Sequence, residues 1–212
     1  MKIRLESLEN STFYDTLIVG AGAAGLSCAL VLGSALTKKY ANNKHIAIVM
    51  HQKTSHLQTA LFNNVLGLPP GTTGASILEQ GKNQLASLYP KVTQITKEKI
   101  KELVRIENGF KVISNKQEYT AKRVVIAVGY TDLITIKGLE KYIEPHPRAA
   151  TDKNRIWLKN IDHVVDSCLY VAGTLAGWRS QFAIASGSGA QVATDILTIW
   201  NAGKHTKVHD KI

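Results

Sequence analysis

One short stretch of the sequence limits strongly what the chain can fold into. Residues 16–19 are Thr-Leu-Ile-Val, and residues 20–25 follow directly as Gly-Ala-Gly-Ala-Ala-Gly. A buried strand that runs into Gly-x-Gly-x-x-Gly, and then into a helix of small residues, is the fingerprint of a dinucleotide-binding βαβ unit. The pattern predicts that a dinucleotide binds, but it leaves open which one and what chemistry is done.

The three glycines of this turn have different physical tasks. Gly20 permits a tight turn at the strand end, Gly22 lets the backbone approach a pyrophosphate, and Gly25 lets the helix press against the strand. The free N–H groups of the first helical turn, at Ala23 and Ala24, then face the phosphates together with the positive end of the helix dipole. We therefore predict that this turn binds the pyrophosphate.

Length and composition are those of an ordinary globular protein. The chain has 212 residues, of which 44% are hydrophobic and 20% charged, and this is enough for one large domain with a buried core. No apolar run approaches the roughly 20 residues that a membrane-spanning helix needs. The first residues, 1–6, contain no apolar signal core, so we expect a cytoplasmic protein without a membrane partner.

The positive charge is concentrated in the middle of the chain. The formal net charge is +10, and residues 91–160 hold 15 Lys and Arg against 8 Asp and Glu. This segment is suited to RNA, an acidic partner protein or an anionic cofactor. However, Lys97, Lys99 and Lys101 alternate with other residue types as on a solvated sheet face, and no nucleic-acid motif accompanies them. We favour the solvated face and expect no nucleic-acid partner.

Two classes of active site are not supported by the sequence. Cys28 and Cys168 are far apart, form no Cys-x-x-Cys, and lie in apolar surroundings typical of small buried hydrophobes. None of the seven histidines pairs at metal-ligand spacing, and Ser27 and Ser76 have no triad context. We therefore predict neither a metal site nor a nucleophilic hydrolase.

Hydrophobic patterning predicts an α/β domain with a central parallel sheet. The predicted buried strands are residues 14–20, 46–50, 123–129 and 168–173, and the predicted helices are residues 21–36, 74–88 and 180–200. Gly187 and Gly189 lie inside the last helix, and glycine costs about 1 kcal/mol there relative to alanine. Their presence indicates close approach of another backbone or of a ligand.

A small antiparallel sheet is predicted to interrupt this pattern over residues 91–120. Residues 103–106 and 110–113 read as strands on either side of an Asn108-Gly109 turn, which is a good hairpin signal. Residues 1–14 are polar and are expected to form a loose arm. No repeat or low-complexity linker appears, so residues 1–212 are predicted to form a single domain.

The second strand departs from the dinucleotide fingerprint. An Asp or Glu should end this strand and bind the adenosine ribose, but His51 and Gln52 follow Met50. Either side chain can form a hydrogen bond to a ribose, although more weakly than a charged carboxylate. The alternatives are that the adenosine is bound elsewhere or not at all.

Three stretches together resemble the FAD domain of thioredoxin reductase-like flavoproteins. They are the glycine turn, residues 124–129 (Val-Val-Ile-Ala-Val-Gly), and residues 169–173 (Leu-Tyr-Val-Ala-Gly) with the helix that follows. The second stretch is similar to the Ala-Thr-Gly strand of that family and the third to its Ala-Gly-Asp strand. The resemblance runs from about residue 14 to 200 and implies a Rossmann-like FAD/NAD(P)-binding three-layer domain.

The resemblance also implies a set of FAD contacts. Residues 64–67 look like the family's segment that runs past the flavin, and the start of the last helix would lie beside the N1–C2=O edge of the ring. The residues expected to contact FAD are Gly20, Gly22, Ala23, Ala24, Gly25, Met50, His51, Gln52, Asn64, Ile100, Ala127, Val128, Gly129, Gly173, Thr174, Ser180, Gln181 and Phe182.

Other family features are missing from this sequence. The family inserts an NADPH domain between its Ala-Thr-Gly and Ala-Gly-Asp strands, whereas only residues 130–168 lie between them here, without a second glycine fingerprint. The redox Cys-x-x-Cys of that insert is missing too, and Thr174 replaces the Asp of Ala-Gly-Asp. We therefore expect that the chain is not a thioredoxin reductase.

Three functions remain open at this point. The favoured one is an FAD-dependent oxidoreductase that receives electrons from a transiently bound NAD(P)H or from a partner such as a ferredoxin or flavodoxin, with a homodimer implied by the resemblance. The alternatives are a non-catalytic flavin- or nucleotide-binding module with a degenerate site, and an RNA-associated relative. No catalytic residue is assigned, because His56, His146 and Tyr130 are acid–base candidates by residue type only.

Overall fold

The computed structural model describes residues 12–51, 57–131 and 136–208. At its centre is strand β1 (Thr12–Val19), whose side chains alternate between two buried cores. Leu17 and Val19 pack into one core, and Ile18 packs into the other. Both faces of the strand are therefore covered, as in the middle of a parallel sheet.

Six strands form the path of the main sheet. Their order is β11 (Val164–Asp166), β12 (Leu169–Val171), β8 (Glu118–Ile126), β1, β2 (Ile46–Met50) and β5 (Val92–Thr96). All neighbours from β12 to β5 are parallel, and only β11 runs antiparallel to its neighbour. The predicted central parallel sheet is confirmed, and its carboxyl edge brings the ends of β1, β2 and β8 together.

Three helices cover one face of this sheet. They are α1 (Ala23–Ser34), α2 (Gly74–Leu88) and α3 (Phe182–Trp200). Leu32, Leu85 and Ile196, one from each helix, are fully buried in the core beneath them. The long α1–α3 contact is the main helix–helix interface.

An antiparallel meander covers the other face. It consists of β6 (Ile100–Ile106), β7 (Gly109–Ser114) and the first half of β8. A tight turn over Glu107–Asn108 joins β6 to β7, which confirms the predicted hairpin. Helices, main sheet and meander make three layers, so the predicted fold class is confirmed.

Two boundaries within residues 91–120 differ from the prediction. Strand β5 pairs in parallel with β2, so it is the edge of the main sheet rather than part of the antiparallel insertion. The reason is that Val92 packs into the helix-side core while Ile95 packs into the opposite one. Strand β8 begins at Glu118 rather than Arg123, because its first residues pair with β7 as well as with β1.

The other elements lie close to their predicted positions. Strand β1 begins at Thr12 and pairs with Tyr119, so this part of the predicted loose arm is ordered strand, and residues 1–11 lie outside the described residues. Strand β12 is shorter than predicted and ends at Val171, and α3 begins at Phe182.

The connection from β8 to β12 is short, and its described residues contain no dinucleotide-binding unit. Over residues 127–131 and 136–168 the structure has no α-helix, only short 3-10 turns, β11 and the antiparallel pair β9 (Ile143–Pro145) and β10 (Ile156–Leu158). A βαβ unit needs a helix. A second small pair, β3 (Leu61–Phe62) and β4 (Thr72–Thr73), lies before α2.

Candidate functional site

The glycine turn has the geometry that its sequence predicts. Gly20 follows β1 with φ at +107°, and a Cβ there would lie 2.5 Å from the carbonyl oxygen of Ala127. A Cβ at Gly25 would lie 2.9 Å from the carbonyl carbon of Gly20. Both positions exclude any side chain, because the strand end, the turn and the helix are pressed together.

Helix α1 begins directly after this turn with an uncapped N-terminus. Gly22 is the N-cap residue, and no side chain accepts a hydrogen bond from the first helical turn. The Gly22 carbonyl accepts the first helical bond, from the N–H of Leu26 at 2.9 Å. The N–H groups of Ala23, Ala24 and Gly25 precede that bond, so helix geometry leaves them available to an anion.

Ala24, just after the glycine turn, is the point where this turn meets the third family-like stretch and the helix that follows it. A Cβ at Gly173 would lie 3.0 Å from the Ala24 Cβ, and φ of Gly173 is +81°. A Cβ at Gly189 would lie 2.7 Å from the Ala24 carbonyl carbon. The predicted close backbone approach is confirmed for Gly189, whereas Gly187 has open space around it.

The end of β8 lies beside the glycine turn. The N–H of Ala127 donates to the Val19 carbonyl at 2.8 Å, and Val128 follows next to Gly20. Gly129 lies three residues beyond the end of β8, is exposed, and has open space where a Cβ would be. Ala127 and Val128 therefore join the turn at the carboxyl edge, and Gly129 faces solvent.

Of the four further expected FAD contacts, Met50 and His51 lie at the same edge of the sheet. Met50 ends β2 and is buried, and the exposed His51 follows it. Gln52 lies outside the described residues. Ile100 is buried in the meander-side core, on the opposite side of the sheet from the helices, so only its backbone is available to a ligand.

The start of α3 contacts the segment around β3. Gln181 is the N-cap residue of α3, with no side-chain capping bond, and Ser180 before it is exposed. The ring of Phe182 lies 5.2 Å from that of Phe62. Asn64 is exposed two residues after Phe62, so the expected flavin-side segment and the start of α3 are neighbours.

The backbone carbonyl of Thr174 is hydrogen-bonded to His146, which the sequence indicates only as an acid–base candidate. His146 is buried; its Nε2 donates to the Thr174 carbonyl at 3.0 Å, and its Nδ1 accepts from the Arg148 N–H at 3.1 Å. A carbonyl can only accept, so the proton is on Nε2. Both ring nitrogens are used in ordering this loop.

The other candidates have similarly ordinary surroundings. Tyr130 is half-buried, with its ring 5.4 Å from that of His146 and beneath the guanidinium of Arg155. His56 lies outside the described residues.

Cys28 is buried as predicted, and burial raises the pKa of its thiol, whereas Cys168 is only half-buried in a turn with φ of +60°. A raised pKa is the opposite of what a reactive thiol needs, so the surroundings of Cys28 fit a buried structural cysteine.

A buried polar cluster beneath α3 was missed by the sequence reasoning. Ser188 accepts a hydrogen bond from the Gly173 N–H at 2.8 Å, and the Nδ1 of His163 donates to the Val171 carbonyl at 2.9 Å. His163 Nδ1 also lies 3.4 Å from the Ser188 hydroxyl. Asn160 and Asp162 before this histidine are turn-forming residue types, but they do not indicate that its ring turns inward.

Two features are absent from the described ranges. No group of three or more His, Cys, Asp or Glu side chains there is arranged to bind a metal ion. No helix there is both long and apolar enough to cross a membrane.

Comparison with solved structures supports the fold. A thioredoxin reductase from Gloeobacter violaceus superposes with a TM-score of 0.70 at 14% identity, covering 96% of this chain and 99% of that one. A thioredoxin reductase from T. acidophilum gives 0.66 at 14% identity, covering 89% and 99%. At these identities the likeness concerns the fold alone.

Comparison with curated sequences identifies relatives that are longer than this chain. A ferredoxin–NADP reductase from Streptococcus pyogenes is 28% identical over 123 residues, which are 55% of this chain and 34% of that protein. A thioredoxin reductase from Treponema pallidum is 29% identical over 119 residues, which are 56% and 36%. The chain thus spans about a third of the length of these relatives.

A family model covers most of the chain. The model described as pyridine nucleotide-disulphide oxidoreductase matches residues 14–176, a range that contains the glycine turn, β8 and Gly173. On this match and on the converging geometry around Ala24, the chain belongs to the pyridine nucleotide-disulphide oxidoreductase family.

Proposed function

We propose that the chain is a single FAD-binding domain of an oxidoreductase that passes electrons through a bound flavin. The observation that carries this proposal is the meeting of Gly20, Gly173 and Gly189 around the uncapped first turn of α1. Each of these glycines lies where a side chain would collide with neighbouring atoms, and together they leave the N–H groups of that turn open to an anion.

The residues present fit the pyrophosphate part of FAD better than its two sugar-like parts. Backbone N–H groups at residues 22–25, with the helix dipole, can hold a pyrophosphate without side chains. His51 would face the adenosine ribose and Thr174 the ribityl chain, each in place of a carboxylate. A neutral hydroxyl or imidazole still donates or accepts a hydrogen bond there, with less strength than a charged group.

Bound FAD would supply hydride and single-electron transfer, and the protein supplies position and electrostatics. The N-terminus of α3 favours negative charge near Gln181, because its first N–H groups have no side-chain cap. Phe182 and Phe62 would exclude water on that side. Ala127 and Val128 would line the cofactor through their backbone.

The electron donor is proposed from chemistry and from the names of relatives. Ferredoxin–NADP reductases are named for a nicotinamide and a protein carrier, and we propose one of these two donors for this chain. The basic segment of residues 91–160 suits an acidic carrier through electrostatic steering.

With two separated cysteines and no Cys-x-x-Cys, the chain is proposed not to reduce thioredoxin. A homodimer is proposed from the same resemblance, and light scattering measures it.

The decisive experiment combines a spectrum with anaerobic reduction. Purified protein should carry flavin that is released on heating and identified as FAD. Under anaerobic conditions NADH, NADPH or a reduced ferredoxin should bleach it. Protein that is colourless and takes up no added FAD would contradict the proposal.

A non-catalytic flavin-binding module is the second candidate. The observation that favours it is the replacement of both expected carboxylates, by His51 and by Thr174. Such a module would bind FAD but would not be bleached by any of the three reductants. Bleaching at a rate that saturates with donor concentration excludes it.

A further inference from the structure

A groove runs along the flank of α3 that faces away from α1. Its volume is about 810 Å³, which is within the range of sites for small molecules. Gln191 and Asp195 of α3 form one wall and Val164 of β11 forms the other, with Tyr170 of β12 between them. The groove therefore lies on the helix side of the sheet, over its β12–β11 edge, where no further helix of the described chain packs.

The walls of the groove are unusually apolar for a surface. Trp178 is 42% exposed and Ile199 47% exposed, and Ile184 and Val164 are exposed as well. Four exposed large apolar side chains therefore line one concavity. One face of Trp178 lies beneath the Arg148 guanidinium, 5.1 Å from the ring centre, which fixes the ring at the groove mouth.

The charge of the groove opposes that of the chain. Asp162 and Asp195 line the groove, and no Lys or Arg of the described residues is among its lining residues, although the chain carries a net charge of +10. The Arg148 guanidinium lies beside the groove, over the Trp178 ring. Within the described ranges no lysine or arginine nitrogen lies within 4 Å of the half-buried Asp195. Its carboxylate accepts only from the Gln191 amide, at 3.0 and 3.2 Å.

Burial also makes the charged form of Asp195 less stable. Desolvation raises the pKa of this carboxyl, against smaller opposing effects of the Gln191 amide and of His163. The carboxylate is thus less stable here than in water, and a bound cation would reverse this.

We propose that this groove binds a small organic cation, namely a protonated primary amine on an aromatic or aliphatic body. The ammonium group pairs with Asp195, and the body packs against Trp178 and Ile184. The site is separate from the expected flavin contacts, so it does not depend on flavin binding. Ser188 lines the groove and accepts a hydrogen bond from the N–H of Gly173, which is one of the expected FAD contacts.

Phenethylamine is the probe, and a ligand-observed NMR titration of the full chain is the measurement. Phenylpropionate has a similar body with the opposite charge, and phenethyl alcohol is neutral. We expect saturable binding of the amine, weaker binding of the alcohol, and none of the acid. Equal binding of amine and acid would overturn the proposal.

Two variants locate the site. Asp195→Asn keeps the acceptor for Gln191 but removes the charge, so the affinity for phenethylamine should fall by roughly ten-fold or more. Asp152→Asn is the matched control, because Asp152 is exposed and its ion pair with Lys153 is a surface contact at 3.8 Å. The affinity of the Asp152→Asn variant for phenethylamine should be unchanged. An unchanged thermal midpoint shows that each variant is folded, and an unaffected Asp195→Asn affinity would overturn the proposal.

A second copy of the chain is the competing occupant. If the groove is an interface, light scattering will show that the wild-type chain is a dimer and that Ile199→Asn converts it to a monomer, and phenethylamine will not bind to the wild-type dimer. This result would overturn the proposal. Flavin content is measured in parallel, and its loss would concern the proposed function rather than this site.

Discussion

The backbone of Gly189 in α3 lies directly against the backbone of Ala24 in α1. A Cβ at Gly189 would lie 2.7 Å from the Ala24 carbonyl carbon and 3.0 Å from its Cα. A Cβ at Gly173, which follows β12, would lie 3.0 Å from the Ala24 Cβ. These close approaches fix α3 and the turn at Gly173 around the start of α1, where the N–H groups proposed to bind the pyrophosphate lie.

Gly189→Ala should therefore destabilise the protein, while Gly187→Ala should not. The first adds a methyl group where there is no room, and overpacking costs about 1–3 kcal/mol of unfolding free energy. The second adds a methyl group in open space in the same helix and should stabilise by up to about 1 kcal/mol through helix propensity. Urea denaturation of the two variants measures the difference. Equal effects of both substitutions would contradict the close crossing.

Ser188→Ala should cost about 1–3 kcal/mol of stability, because it leaves the buried Gly173 N–H without its acceptor. Ser87→Ala is the control, since the Ser87 hydroxyl is exposed and donates only to the Gln84 carbonyl in its own helix. Thermal denaturation compares the two. A cost for Ser188→Ala no larger than for Ser87→Ala would show that the bond is unimportant.

Gly20→Ala should abolish or strongly reduce flavin content. The methyl group would lie 2.5 Å from the Ala127 carbonyl oxygen, and φ of +107° is strained for any L residue with a side chain. The measurement is the ratio of FAD to protein after gel filtration, with circular dichroism to verify folding. Gly187→Ala serves as the matched helix substitution and should retain flavin. A folded Gly20→Ala protein with full flavin content would disprove the role of this turn.

Tyr142→Phe should raise the pKa of Asp166. The Tyr142 hydroxyl donates to this carboxylate and is the largest cause of its lowered pKa, followed by the Ser167 N–H and the Arg105 ion pair. The pKa of Asp166 is lower in the folded protein than in the unfolded chain, where it is about 3.9. The hydrogen bond therefore stabilises the folded protein fully at pH values above the unfolded pKa, and this stabilisation is lost as the pH falls through the folded pKa.

Removing such a hydrogen bond costs about 1 kcal/mol of unfolding free energy at pH 7. We expect a loss below this value for Tyr142→Phe, because Asp166 is half-exposed and solvent weakens the interaction. The difference from the wild type should vanish at the acid end of the titration. NMR titration of the Asp166 carboxyl carbon measures the pKa directly. A pKa that stays unchanged in Tyr142→Phe would refute the bond.

Much of the fold could be predicted because its signals are local. The run from Thr16 to Gly25 determines a strand, a turn and a helix within ten residues, and Ile46–Met50 is apolar on both faces. Strand β5 was assigned to the wrong sheet because a short strand carries the same pattern whether its partner is parallel or antiparallel. Only the tertiary pairing with β2 decides this.

The site was predictable where backbone geometry determines residue type. Gly20, Gly25 and Gly189 follow from steric exclusion, which only glycine satisfies. His163 and Asp195 did not stand out, because their roles depend on contacts between β11, β12 and α3 that no local pattern encodes. His146 is an acid–base candidate by residue type, but both of its ring nitrogens form hydrogen bonds with backbone groups.

The visible absorption spectrum of the purified, full-length chain tests the central claim most directly. If the glycine turn, Gly173 and the start of α3 hold FAD, the protein is yellow, shows the absorption bands of oxidised flavin, and releases FAD on heating in a ratio of about one per chain. A correctly folded protein that is colourless, and that remains colourless after incubation with FAD and gel filtration, would contradict it.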